Sequence, residues 1–340
     1  MAEVNWYYLD ISEAISEELP WDELEDKTVL VTGATGLIGG AVVDMLMAAT
    51  ETCRVVASGR NEERAKQRFA RYAKEERFQF LKMDITQPIT ATDLTPDYII
   101  DAAGGATPHL YKEDPVGVMR SNLIGVDNLL QYGIAHGLRR FVFISSGEVY
   151  GEGDGRAFTE DYSGYVNPLS VRSCYPSAKR AAETLAICYG QQYGFDVCIA
   201  RPSHVYGPGY TDEDDRVYAQ FLRNVERGED IVLKSEGEAE RSWTYVVDCA
   251  SAILHILLRG KAGEAYNIAD PGCNVSISFL ARAIALQAGR QVVYDIPDDG
   301  SKGITTPITK AIFDVSRLKA LGWEPREDFA RALYHSQEKL

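Results

Sequence analysis

The chain has 340 residues, 45% hydrophobic and 25% charged, a globular balance that excludes wholesale disorder. At about 150 residues per domain the length suggests two domains. Lys and Arg number 35 against 50 Asp and Glu, and the net charge of −15 argues against a general nucleic-acid binder or a protein docking on anionic lipid. An anionic small ligand stays open, because a local cluster of cations can hold one inside an acidic shell.

Residues 1–26 carry nine acids and no Lys or Arg, interleaved with Trp6, Tyr7, Tyr8, Leu9, Ile11, Ile15, Leu19 and Trp21. The pattern reads as a short amphipathic helix or arm on the main body, or as a solvated leader. From Lys27 a regular alternation begins. Short β-branched or aromatic runs at 28–32, 54–58, 78–83, 97–101, 140–145 and 196–200 read as strands. Apolar-periodic or charged stretches at 37–49, 61–74, 115–136 and 173–193 read as helices. Alternating strands and helices predict an α/β fold, a Rossmann-type doubly wound parallel sheet spanning residues 27–201. After Arg201 the rhythm changes at Pro202, Gly207, Pro208 and Gly209. Residues 202–340 therefore read as a smaller, mainly C-terminal substrate-binding cap, with strands free to return to the main sheet. The acidic tract Asp212-Glu213-Asp214-Asp215 reads as a solvated loop able to order over a substrate.

Between the first strand and first helix runs Thr32-Gly33-Ala34-Thr35-Gly36-Leu37-Ile38-Gly39-Gly40. Glycines let the backbone approach a pyrophosphate, and the helix start offers free N–H groups and a positive dipole end. In this position the pattern predicts a dinucleotide site at Gly33, Thr35, Gly36, Leu37, Ile38 and Gly39. NAD binders usually place an acid at the end of the second strand to hold the ribose 2′-OH. Here the end reads Ala57-Ser58-Gly59-Arg60, without an acid. Ser58 and Arg60 suit a 2′-phosphate, so NADP is favoured over NAD.

The fifth strand ends in Ser145-Ser146-Gly147-Glu148, and Tyr175-Pro176-Ser177-Ala178-Lys179 follows on a helix. Tyr and Lys at i and i+4 share one helix face. A phenol with a pKa of about 10 is a poor base at neutral pH. A nearby ammonium and a positive nicotinamide favour its phenolate, which can take a proton from a hydroxyl while hydride leaves the same carbon. Ser146 can hydrogen-bond the same oxygen. Cys174 beside Tyr175 reads as a small core residue rather than a nucleophile.

In chain order these motifs resemble the extended short-chain dehydrogenase/reductases that act on nucleotide sugars, the NAD-dependent epimerase/dehydratase family, over residues 27–335. The likeness also runs through Asn122 in Ser121-Asn122-Leu123-Ile124-Gly125, Arg201-Pro202-Ser203-His204-Val205-Tyr206-Gly207, Arg241-Ser242-Trp243-Thr244-Tyr245 and Leu321-Gly322-Trp323. Within the family, Arg172-Ser173-Cys174-Tyr175 with Lys179-Arg180, Asp215-Arg216-Val217, and Ala106-Thr107-Pro108 are most similar to UDP-glucuronate decarboxylases.

The resemblance implies that Tyr175 is the base, Lys179 its tuner and ribose ligand, and Ser146 the partner on the sugar 4-OH. Glu148 falls where decarboxylases and 4,6-dehydratases carry a glutamate beside sugar C5. Gly147 falls where dTDP-glucose dehydratases carry an Asp that protonates the departing hydroxyl, which counts against dehydration. Asp84 would meet the adenine, with Ile85, Ala102, Ala103, Gly104, Asn122, Pro202 and His204 along the cofactor. Thr107, His204, Arg216 and Arg241 would face the substrate, Arg241 on its diphosphate or a carboxylate. His204 stands where these enzymes usually have an Asn on that diphosphate. A homodimer through the two long helices is also implied.

These features predict transient oxidation at C4 of a nucleotide-diphosphate sugar, as in a UDP-glucuronate decarboxylase. A 4,6-dehydratase, an epimerase and an NADPH-dependent 4-keto-sugar reductase use the same set, and a non-catalytic dinucleotide sensor is a further reading. The cysteines at 53, 174, 188, 198, 249 and 273 show neither C-x-x-C pairs nor zinc-ligand spacing, so no metal is expected. The start Met1-Ala2-Glu3-Val4-Asn5 lacks the basic and apolar regions of a signal peptide, and Asp248 and His255 break the longest apolar stretch. The reading is cytoplasmic, without a membrane or nucleic-acid partner.

Overall fold

The computed structural model describes residues 5–15, 18–89, 94–211, 213–296, 310–326 and 328–337. Residues 1–4 of the acidic arm and Asp212 of the acidic tract lie outside the described residues.

The strands are β1 (Thr28–Thr32), β2 (Arg54–Gly59), β3 (Phe78–Lys82), β4 (Tyr98–Asp101), β5 (Arg140–Ile144), β6 (Asp196–Pro202), β7 (His204–Tyr206), β8 (Ile231–Leu233), β9 (Glu240–Tyr245), β10 (Ala265–Ile268), β11 (Asn274–Ser276), β12 (Val292–Tyr294) and β13 (Lys310–Ala311). The helices include α1 (Trp6–Ala14), α2 (Leu37–Ala49), α3 (Glu62–Arg68), α4 (Leu110–Glu113), α5 (Pro115–Ala135), α6 (Cys174–Tyr193), α7 (Val217–Glu226), α8 (Val246–Arg259) and α9 (Ile277–Gln287).

The main sheet is parallel throughout, in the order β3-β2-β1-β4-β5-β6-β10. This is the doubly wound arrangement read from the sequence. Alternation along each strand feeds both faces. Val29 and Val31 of β1 and Val142 and Ile144 of β5 join the core under α2 and α8. Leu30, Phe141 and Phe143 point the other way, into the core under α5 and α6.

Local chemistry sets the helix ends. Asp114 accepts from Gly117 N at 2.9 Å, and Pro115 opens α5 where a missing N–H does no harm. α6 closes on Gly194, which takes the left-handed φ of 74° that ends a helix. The charged stretch at 61–74 is shorter than expected. α3 stops at Arg68, and a 3-10 turn covers Ala70–Tyr72. Phe69 and Tyr72 turn inward onto Phe78, at ring distances of 5.3 and 5.5 Å, and that packing overrides the helical pattern.

Part of the chain beyond Pro202 returns to the main sheet. Every residue of α8 from Val246 to Leu258 is buried, and β10 pairs with β6. The rest forms β11-β9-β13, with β7 on β9, and a β8-β12 pair beside α7 and α9.

The acidic N-terminal segment forms a helix on the body. In α1, the Tyr7 hydroxyl donates to Asp44 of α2 at 2.7 Å. Asp10, fully buried, accepts from the Tyr245 hydroxyl at 2.8 Å and lies 2.7 Å from His335 Nδ1.

Candidate active site

The cofactor side of the cleft is shaped by backbone. Gly33 has φ +61°, and a Cβ on it would lie 2.4 Å from the Ala102 carbonyl oxygen. A Cβ on Gly39 would lie 2.5 Å from the Gly33 carbonyl oxygen. The turn, the start of α2 and the end of β4 therefore meet without side chains between them, with Thr35, Gly36 and Ile38 on the open rim. Asp101 accepts from Thr32 Oγ1 at 2.5 Å and from Ala103 N at 3.1 Å, and its other oxygen has no partner. Burial raises its pKa, against the Thr32 hydrogen bond. Asn122 of α5 donates to Val118 O at 2.8 Å, while its buried Oδ1 is unpartnered behind Gly104. Ile85 and Pro202 are buried, and Asp84 is exposed, accepting from Thr86 N and Oγ1 at 3.0 and 2.8 Å. A backbone-walled turn that a Cβ on Gly33 or Gly39 would fill, set at a helix start and at the switch point between β1 and β4, fits the pyrophosphate of a dinucleotide.

At the end of β2 the two candidates part. Ser58 is 1% exposed and presents almost no surface to a ligand. Arg60 is exposed beside an open groove of about 520 Å³, lined also by Glu62, Glu63, Arg64, Lys82 and Glu213.

β5 leads into Ser146, whose hydroxyl accepts from Glu148 N at 3.2 Å and acts on the Tyr175 phenol. Tyr175 and Lys179 lie one turn apart on α6, 6% and 3% exposed. Lys179 Nζ donates to Ile144 O at 2.7 Å and sits 5.9 Å from the Tyr175 ring centre. Burial lowers the Lys179 pKa to about 8, against the attraction of Asp101 and Glu183. Burial pushes the Tyr175 phenol up to about 12. The Ser146 hydrogen bond lowers it, Glu148 raises it, and Arg216 and Arg172 lower it, but burial prevails. The protein alone thus keeps Tyr175 protonated at neutral pH. Burial also raises the Cys174 thiol, as expected of a packing residue.

The side facing away from the glycine turn is crowded with charge. Arg172 grips Glu148 with two parallel bonds of 2.8 Å. Arg216 Nε donates to Asp214 at 2.9 Å. Arg241 is 7% exposed and donates to Glu240 O at 2.8 Å. His204 packs against Trp243, with ring centres 5.2 Å apart. Crowding by protein, then Arg241 and Arg216, lowers its pKa to about 3. His204 is exposed on β7, and both arginines act in the same direction and favour its neutral imidazole. Thr107 opens the turn into α4, its carbonyl accepting from Leu110 N at 3.1 Å.

Among its described residues the acidic tract is a loop with Glu213 exposed, but its carboxylates are partnered by protein. Asp214 is 3% exposed and bound to Arg216, Glu213 pairs with Arg64 at 2.7 Å, and Asp215 accepts from His109 N at 2.9 Å. Arg216 is a near neighbour of Asp214, but Arg64 and the His109 N–H come from distant segments that sequence proximity does not reveal.

A family model described as the NAD dependent epimerase/dehydratase family matches residues 29–269. The chain belongs to that family. It is an NAD(P)-dependent enzyme, as the resemblance implied. UDP-glucuronic acid decarboxylase 6 of Arabidopsis thaliana is 33% identical over 303 residues, covering 88% of this chain and 84% of that one. UDP-glucuronic acid decarboxylase 1 of Xenopus tropicalis is 30% identical, covering 94% and 74%. The fold also matches the UDP-glucuronic acid 4-epimerase of Bacillus cereus, with a TM-score of 0.77, 23% identity and coverage of 91% and 98%.

Within this family frame, three cleft residues were not singled out by sequence reasoning. Tyr111 stacks on Tyr175 with ring centres 5.2 Å apart at 21°. Arg172 was part of a quoted motif, and its position one turn before Tyr175 was the available signal. Phe313 gave no signal, because it reaches the site from far along the chain. A Cβ on Gly147 would lie 2.0 Å from its ring.

Proposed function

We propose that this protein is a UDP-glucuronate decarboxylase-like enzyme acting through transient oxidation at the sugar C4. The observation that carries the reading is position 147. Phe313 fills the space a side chain there would need, so this position cannot place an acid on a departing C6 hydroxyl, while Glu148 stays in the cleft. Loss of CO₂ requires no such leaving-group acid. The bound nicotinamide supplies a hydride acceptor and donor at C4, and a C4 ketone lets the neighbouring C6 carboxylate leave as CO₂.

Tyr175, ionised when the positively charged nicotinamide lies beside it, would take the proton of the sugar 4-OH on its Oη, and Ser146 Oγ would hydrogen-bond that same oxygen. Lys179, held by Ile144 O, would hold the cofactor ribose. Gly33, Thr35, Gly36, Leu37, Ile38 and Gly39 cradle the pyrophosphate on backbone N–H groups. Asp84, Ile85, Ala102, Ala103, Gly104, Asn122 and Pro202 line the dinucleotide. Arg216, Arg241 and neutral His204 bind the substrate diphosphate, with Thr107 at the rim.

Arg60, with Arg64 and Lys82 beside it, favours the 2′-phosphate of NADP. The exposed Val116, Met119 and Ile124 along α5 support a homodimer through α5 and α6.

Incubation with UDP-glucuronate and other nucleotide sugars, followed by mass spectrometry, tests the function. The expected result is loss of the mass of CO₂ with no net change in nicotinamide absorbance. Loss of water, or consumption of NADPH, would overturn the reading in favour of dehydration or reduction.

A further inference from the structure

Arg172 carries no role in the reading above, yet it joins both sides of the reacting centre. It lies on a 3-10 turn, Val171–Ser173, that leads directly into α6. Its two terminal nitrogens each meet one Glu148 oxygen at 2.8 Å. Its guanidinium also faces the Tyr111 ring, 4.7 Å from the centre, within cation–π range. Tyr111 stacks in turn on Tyr175, and its hydroxyl is anchored on Ala106 O at 3.0 Å.

We propose that Arg172 is a positioning residue, which clasps Glu148 in one orientation in the cleft and, through Tyr111, seats the Tyr175 ring. A planar fork gripping both oxygens of a carboxylate fixes its rotation as well as its place, which a single ammonium does not. The same arginine offsets the negative charge of Glu148 at the phenol. Without it, only Arg216 still offsets Glu148 at the phenol, the Tyr175 pKa rises further, and less of the phenolate is present at neutral pH. The other groups facing Tyr175 are Ser146 beside Glu148, Arg216 ahead of α7, Tyr111 of α4, and Lys179 on its own helix.

The assignment rests on the proposed chemistry for its kinetic effect but not for its electrostatic one, so two measurements are paired. With UDP-glucuronate, Arg172→Met should lower kcat on the order of 10²-fold, as misplacement of reacting groups does, with KM changed much less. Arg172→Lys should fall between Met and wild type. In the protein loaded with oxidised cofactor, the tyrosinate absorbance that Tyr175→Phe removes should titrate at higher pH in Arg172→Met. Adding Glu148→Gln to Arg172→Met should bring it back down. A role confined to folding moves neither the titration nor its reversal. An unmoved Tyr175 titration, or wild-type kcat in Arg172→Met, overturns the proposal. If wild type does not turn over UDP-glucuronate, the function fails while the titration still decides Arg172. Should the Met variant not fold, Arg172→Lys alone decides: unchanged titration and kcat reject the clasp.

Discussion

The two sides of the cleft are built on opposite principles. The cofactor side is a steric mould of glycines, a tight turn and a helix start, with few side chains and buried oxygens left unpaired. The substrate side is a charge lattice in which Glu148, Arg172, Asp214, Arg216 and Arg241 are paired or held by protein. A mould fails when atoms are added, and a lattice fails when charges are removed. Tyr175 stands at the seam, roofed by Tyr111 and tuned by charges from the substrate side.

The largest expected effect falls on the seam. Tyr175→Phe should lower kcat by roughly 10²–10⁴, the range of a positioned acid–base group, while cofactor affinity stays within error. If fluorescence titration shows cofactor binding lost as well, the two sides are not separable. Gly33→Ala tests the mould. The left-handed backbone alone costs a residue with a Cβ about 1–2 kcal/mol, and the Ala102 carbonyl blocks the added atom. Cofactor affinity should fall about tenfold or more, with UDP binding on the substrate side preserved; equal loss of both would erase the distinction.

The smallest effect is on stability against pH. Tyr175 and Tyr150 rise from 10.0 to about 12 in the fold, so between those values the native state holds more protons than the unfolded chain. Stability from these groups is full below pH 10 and is lost as pH rises to about 12. Lys179 falls from 10.5 to about 8, so the unfolded chain binds the extra proton in that window and this residue makes stability rise with pH there. Urea midpoints across the alkaline range should therefore turn downward above pH 10. Lys179→Met should flatten the preceding rise, and a rise that survives in this variant has another source.

The mould was readable from the chain because it is local. Gly33, Gly36 and Gly39 announce a tight β–α turn by spacing, and the alternation of strands and helices fixes where that turn sits. Tyr175 and Lys179 were equally legible, four residues apart on one helix. Ser58 shows the limit: a strand end names the residue, but only packing showed it buried and left Arg60 facing the groove. The acidic tract shows it again, since its partners Arg64 and His109 come from other elements.

The sequence by itself determined the doubly wound sheet, the dinucleotide turn and the order of Ser146, Tyr175 and Lys179, because each is a periodic or near-neighbour pattern. Tertiary structure alone decided that Phe313 closes position 147, that Arg172 holds Glu148, and that α1 ties α2 to Tyr245 and His335. Those contacts join segments far apart in the chain, and no local spacing encodes which distant side chain will fill a given space.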